Sequence, residues 1–221
     1  TPCGTLFPYT TLFRSMADGV VVTAGTADIT LSAQGDITIG RLVTTSATAV
    51  QVTSTAGSII DAGDTGGADI SASGANLTAV TGINLDTSLA SVDATVSGTG
   101  SIVLDEVDGI TLTDVDTANG AIAITAGGAI TATDVRTNSS AGTGDISLTT
   151  TAGSITIGSV NAADFDDVDI DSAGAIDGVT NDGTADAIGG TVTLTAASGG
   201  IGTSTILDVV ASVALNADTT A

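Results

Sequence analysis

Hydrophobic residues recur along this chain at alternate positions, in short runs that break at a glycine and restart on an isoleucine two residues later. ITLSAQGDI (29–37), VQVTSTAGSI (50–59), VDATVSGTGSI (92–102), IAITAGGAI (122–130), ISLTTTAGSI (146–155), VDIDSAGAI (168–176) and VTLTAASGGI (192–201) share this layout, and ISASGANL (70–77) is a degenerate eighth copy. Alternation with period two is the mark of a strand with one buried face, whereas a helix needs apolar spacings of three and four. The predicted inward pairs are Ile29/Leu31, Val50/Val52, Ile70/Ala72, Val92/Ala94, Ile122/Ile124, Ile146/Leu148, Val168/Ile170 and Val192/Leu194. Second strands follow at Ile37/Ile39, Ile59, Ile102/Leu104, Ile130, Ile155/Ile157, Ile176 and Ile201.

The copies start 21, 20, 22, 30, 24, 22 and 24 residues apart. The long interval holds an extra strand-like piece, ITLTDVD (110–116), which reads as an insertion. Gly35, Gly57, Gly100, Gly128, Gly153, Gly174 and Gly199 stand at the corner between the two strands, where glycine offers a positive φ without steric cost. A repeat of 20–24 residues cannot bury its own apolar face, but stacked repeats cover one another. The pattern therefore predicts an all-β fold, a parallel β-helix of about eight coils. It is expected to be right-handed, as parallel crossovers are. Strands about 4.8 Å apart would make a rod on the order of 40 Å long. The rival is a β-sandwich, which needs tight hairpin turns; Asp108-Gly109 and Asp182-Gly183 occur, but not at the repeat corners.

Composition sets the first fifteen residues apart. TLFPYTTLFRS (5–15) holds the single tyrosine and two of the three phenylalanines, with Pro8 inside it and Pro2 and Cys3 just before it. It lacks the basic segment and apolar run of a signal peptide. The string resembles a translated reading frame of a sequencing adapter. Residues 1–15 are therefore expected to be a non-native or disordered arm, and residues 16–221 a single β-helix repeat domain internal to a longer protein.

Charge narrows the partners. The chain carries 25 acidic and 3 basic residues, a net charge of −22. Binding nucleic acid needs a basic footprint, and an anionic membrane surface would repel this chain. No apolar run approaches the roughly 18 residues that span a bilayer. Regularly placed Ile, Val and Leu argue against disorder despite the charge.

The motif Gly-[Asp/Ser/Ala]-Ile-x-[Leu/Ile], as in GDITI (35–39), GAIAI (120–124), GDISL (144–148) and GSITI (153–157), resembles the passenger repeats of filamentous-haemagglutinin-like and autotransporter-type β-helix adhesins. The likeness covers roughly residues 20–207. It implies a structural, non-catalytic shaft, extracellular or on the outer surface of a Gram-negative bacterium, whose partner is a host or matrix glycan or protein. The family's N-terminal secretion domain and a C-terminal membrane barrel are not recognisable here, which leaves the export route open. An internal fragment of this kind would expose raw ends and is expected to associate end to end.

Catalytic candidates are few. The chain has no His and no Lys, and its single Glu is Glu106. A nucleophilic triad therefore has no ordinary base. A polysaccharide-cleaving β-helix would have only Arg41 and Arg136 as basic groups in the body, about four repeats apart. The one metal candidate is DFDDVDID (164–171), where Asp164, Asp166, Asp167, Asp169 and Asp171 offer the oxygen ligands that Ca²⁺ favours. In the predicted register Asp169 and Asp171 point outward, and Asp164, Asp166 and Asp167 form the preceding corner. A solvated acidic surface reads the same way. GGADI (66–70) is only faintly similar to the calcium-binding nonapeptide repeats of RTX proteins. Finally, Ser32, Thr53, Ser73, Thr95, Thr125, Thr149, Asp171 and Thr195 would form one outward ladder, which in a flatter and more regular form would be an ice-binding face.

Overall fold

The computed structural model describes residues 15–63, 65, 67–139, 142–163 and 165–219. The expected arm, residues 1–15, lies outside them apart from Ser15, whose backbone bridges to Thr38. Met16 follows as a buried residue. All regular structure among the described residues is β, twenty strands in a single sheet whose pairings are all parallel. The fold is a parallel β-solenoid of about nine turns.

The clearest column of stacked residues runs Ile37, Ile59, Ile83, Ile102, Ile122, Ile146, Val168, Val192 and Leu215. Successive members are 19–24 residues apart, so each marks one turn. A second side stacks Leu31, Val52, Leu77, Ala94, Val115, Val135, Val160, Ala187 and Val209. The third side carries Val22, Leu42 and Ile70 in the lower turns and Ile110, Ile130, Ile155, Ile176 and Ile201 in the upper ones. The core is the interior of this three-sided tube. It is almost wholly Ile, Leu, Val and Ala, because only branched or small aliphatic chains fill a narrow stack while leaving no polar group unpaired.

The predicted faces hold. Of the sixteen residues assigned inward in the first strands, fifteen are buried, and Ala72 is half-buried against the core. The predicted phase does not hold throughout. Val50 and Val52 stack beneath Ala75 and Leu77, not beneath Ile70 and Ala72. Ile70 lies on the third side, above Leu42. Between Val92 and Ile122 the assumed repeat crosses from the second side to the first. Residues 110–116 are consequently no insertion. Ile110–Leu112 pairs with Ile130–Ala132, and Val115–Thr117 with Val135–Thr137, as two ordinary sides of one 20-residue turn.

The corner glycines also serve a different purpose from the one expected. Only Gly153 and Gly199 of the seven have positive φ, at 85° and 82°. At Gly57, Gly100, Gly128 and Gly174 a β-carbon would meet the turn below at 2.5, 2.0, 2.8 and 2.6 Å. Close stacking of corner on corner, not backbone handedness, excludes a side chain there. Gly35, at the lowest such corner, has nothing within 4 Å.

Candidate functional site

The acidic run after Ala163 enters the strand Val168–Ser172, and the alternation of that strand divides its carboxylates. Val168 and Ile170 fill the core, so Asp169 and Asp171 face solvent. Asp169 lies between Ser147 and Thr193, and Asp171 between Thr149 and Thr195, on neighbouring turns. Burial first, and then the negative charge of Asp171, raises the proton affinity of Asp169. Asp167 is exposed at the corner. Its amide donates to Asp145 Oδ1 at 2.9 Å, and its own Oδ1 accepts the Thr191 amide at 2.8 Å, which ties three turns together. Asp166 points the other way and is fully buried, with no hydrogen-bond partner on either carboxylate oxygen. Asp164 lies outside the described residues. The run is thus not brought together as one ligand set, and no group of three acidic side chains placed to hold a metal ion occurs among the described residues.

The predicted hydroxyl ladder is also divided. Ser32, Thr53 and Thr95 stand on the second side, in a column that continues through Thr78, Asp116, Arg136 and Asn161. Thr125, Thr149, Asp171 and Thr195 stand on the first side above Asp86 and Asp105. Ser73 belongs to neither; its hydroxyl donates to the Ser46 carbonyl at the edge of the third side. An array of this kind presents mixed hydroxyl, carboxylate and amide groups on two faces and lacks the flat double column of threonines that an ice lattice would match.

Hydroxyls that face inward carry more structure than those that face outward. Ser54, Thr137 and Ser172 are buried and donate to the corner carbonyls of Gly35, Gly144 and Ala175 at 2.8, 2.7 and 3.0 Å; Thr117 bonds the Gly120 carbonyl in the same way. Each satisfies an acceptor where the chain turns and the ladder is interrupted. The sequence signal for them is a hydroxyl residue at an inward position directly before a Gly-containing corner.

Two buried acids lie away from the run. Glu106 accepts hydrogen bonds from Thr87 Oγ1 at 2.8 Å, from the Leu89 amide at 3.0 Å and from the Asp108 amide at 3.3 Å. Burial still raises its proton affinity. Asp69 is 1 % exposed, accepts the Asp86 amide at 2.9 Å and lies beside the carboxyls of Asp61 and Asp86. Burial, opposed in part by that amide, pushes its pKa to about 8.

The two arginines of the body lie four turns apart on different sides of the rod. Arg41 pairs in register with Val21 on the third side, and Arg136 with Asp116 and Asn161 on the second. Arg136 bridges to Asp114 at 3.2 Å and to Asp134, which commits its charge to an acidic strip completed by Asp93 and Asp116. The two guanidinium groups cannot converge on one substrate. Among the described residues no helix is long and apolar enough to cross a membrane. Comparison with protein-family models, curated proteins and solved structures finds no match to this chain.

Proposed function

We propose that this chain is a segment of the shaft of a large secreted or surface-exposed bacterial adhesin, and that it acts as a spacer rather than a catalyst. The observation that supports this most is the repeated cross-section: two aliphatic columns, Ile37 to Leu215 and Leu31 to Val209, continue turn after turn into the last strand, Val209–Thr219. A rod built from one repeated turn lengthens by about 4.8 Å for each turn added, and so sets a binding tip away from a cell. Parallel stacking leaves the exposed sides as columns of Thr, Ser, Asp and Asn. Such columns would meet a host or matrix glycan or protein through many weak, repeated polar contacts, whose combined strength comes from multivalency. The net charge of −22 disfavours nucleic acid and anionic lipid as partners. The motif resemblance given above points the same way, to the outer surface of a Gram-negative cell.

The test is to raise antibodies against residues 16–221 and apply them to intact cells that carry the reading frame. The shaft reading expects labelling without permeabilisation and its loss on brief protease treatment of whole cells. Labelling only after lysis would overturn it. Binding of the purified chain to arrayed glycans and matrix proteins should be weak in solution and strengthen when the chain is displayed on beads.

A further inference from the structure

Phe165 is the one aromatic residue of the chain after Met16, and it stands 77 % exposed at the corner between Val160–Asn161 and Val168–Ser172. Its φ is 76°, and among the described residues no other residue except glycine has a positive one. The Asp166 amide donates to the Ala163 carbonyl at 2.9 Å, which closes a four-residue turn with Phe165 in its third position. Glycine supplies a positive φ there at no steric cost, whereas a bulky side chain is strained. The next turn holds the strain in place. Gly190 donates its amide to the Asp166 carbonyl at 2.6 Å, and a β-carbon on Gly190 would meet the carbonyl carbon, oxygen and Cα of Phe165 at 2.9, 2.9 and 3.0 Å. A lone exposed apolar residue needs no explanation. One that also strains its backbone, and whose ring packs so little, points to a use outside the fold.

The surroundings of the ring are acidic. Asp167, two residues on, and Asp145, on the turn below, are both exposed. The Asp167 amide donates to Asp145 Oδ1 at 2.9 Å, and Asp167 Oδ1 accepts the Thr191 amide at 2.8 Å, so main-chain bonds anchor both carboxylates at the corner. Asp169 follows on the same turn and faces solvent. The nearest arginine in the chain, Arg136, is committed to Asp114 and Asp134. An aromatic face attracts a cation through its quadrupole, and carboxylates beside it attract the same cation. A neutral sugar would use the ring and leave the charge idle, and an anionic partner would be repelled.

We propose that this corner is a docking point for a basic segment of a partner protein, with an Arg or Lys side chain laid over the Phe165 ring and its charge met by Asp145 and Asp167. The contact is a property of the corner alone, so it stands or falls independently of where the rod is displayed.

The full chain has four aromatic side chains, one Tyr and three Phe, so the ring signals of Phe165 can be identified by NMR from their loss in Phe165→Leu. Capped tri-arginine is titrated at low salt, with capped tri-citrulline as the uncharged control. The expected result is a saturable shift of the Phe165 ring signals with tri-arginine and none with tri-citrulline. The amide signals of Asp167 and Thr191 report affinity in the variants. Phe165→Leu should weaken it about two- to fivefold, as expected for a cation over an exposed ring. Asp145→Asn/Asp167→Asn should weaken it more than Asp105→Asn/Asp218→Asn, which removes the same charge elsewhere on the rod. Phe165→Gly, which relieves the strained φ, should melt no lower than the parent. Equal affinity of the parent and Phe165→Leu, or equal weakening by the two acid pairs, would overturn the proposal and leave only the general attraction of a −22 chain for any polycation. Ring shifts with chitotriose and none with tri-arginine would overturn it in favour of a sugar-stacking face. A marked fall in Tm for Phe165→Gly would overturn it by showing that the ring serves the fold.

Discussion

Gly100→Ala tests the packing of one turn on the next. The added β-carbon would stand 2.0 Å from the Thr81 carbonyl oxygen, 2.1 Å from its carbon and 2.5 Å from the Gly82 nitrogen. All three are backbone atoms, and an ordinary contact is about 3.5 Å. The corner must therefore open by roughly 1.5 Å. The two turns are held together there by the Ile83 amide on the Ser101 carbonyl at 2.9 Å and by the adjoining ladder, which that opening would break. Overpacking costs about 1–3 kcal/mol, and each lost backbone hydrogen bond about 1 kcal/mol. Restriction of the unfolded chain by alanine returns about 0.4–1 kcal/mol. A net loss of about 2–3 kcal/mol is expected. Gly35→Ala is the control: nothing lies within 4 Å of its added carbon and its φ is not positive, so only the unfolded-state gain remains. Urea denaturation followed by circular dichroism measures both. Hydrogen exchange at the Ile83 and Ile102 amides adds a local reading, because solenoids need not unfold in one step. If Gly100→Ala and Gly35→Ala proved equal in stability and exchange, close corner stacking would not be the reason for these glycines.

Three further outcomes follow from the same geometry. Leu148→Ala, at a wholly buried position, should cost about 2–5 kcal/mol, whereas Thr149→Ala on the outer face should cost under about 1 kcal/mol; the reverse order by urea denaturation would reject the assigned faces. Asp69 holds its proton to about pH 8 when folded and releases it near its ordinary value of 3.8 when unfolded, so its contribution to stability is complete below that value and disappears as pH rises toward 8. Asp69→Asn should accordingly flatten the fall of Tm between pH 4.5 and 8, and a variant whose Tm falls as steeply as the parent's would refute this. Among the described residues the last strand, Val209–Thr219, pairs only with Ala187–Ala196, and it exposes Val210, Val213 and Leu215. Self-repulsion of a −22 chain weakens as the Debye length drops from about 10 Å at 0.1 M salt to 3 Å at 1 M. Light scattering should therefore show end-to-end association rising with NaCl, and a strictly monomeric particle at high salt would count against it.

Which residues face inward was legible along the chain because the alternation of a strand is a local property. Which side of the tube a strand occupies was not, because all three sides use the same words. ITLSAQGDI leads from the second side to the first, through Leu31 and Ile37, whereas ISLTTTAGSI leads from the first to the third, through Leu148 and Ile155. Both read as strand, glycine corner, strand. Aligning them as equivalent produced a 30-residue interval between Val92 and Ile122. That interval is one 20-residue turn preceded by the ten residues from Val92 to Ile102. Evenness of spacing was the available clue, and stacking Ile37, Ile59, Ile83, Ile102 and Ile122 restores it. The inward turn of Asp166 was also available, since it stands two residues before the inward Val168. Its lack of a partner was not, because that depends on where the Thr137 hydroxyl on the preceding turn sends its proton.

Part of the acidity has a structural origin that composition alone conceals. Within a side of the solenoid the parallel ladder satisfies every amide from the turn next to it, but at corners the ladder is interrupted and amides pointing along the axis lose their carbonyls. Aspartates at these corners replace them. Asp36 accepts the Ser58 amide at 2.8 Å, Asp145 that of Asp167 at 2.9 Å, Asp177 that of Ser204 at 2.9 Å and Asp186 that of Asp208 at 2.9 Å. In each case the acceptor lies one turn below the donor, 22–27 residues earlier in the chain. Asparagine could accept as well, but an ionised acceptor makes the stronger bond, and a rod that repeats the device at turn after turn accumulates one charge each time. The same device eases the charge at these positions, since each of the four carboxylates is compensated by an amide dipole. Asp166 departs from this rule: it is turned to the inside of a corner, neither of its carboxylate oxygens has a hydrogen-bond partner, and burial raises its proton affinity.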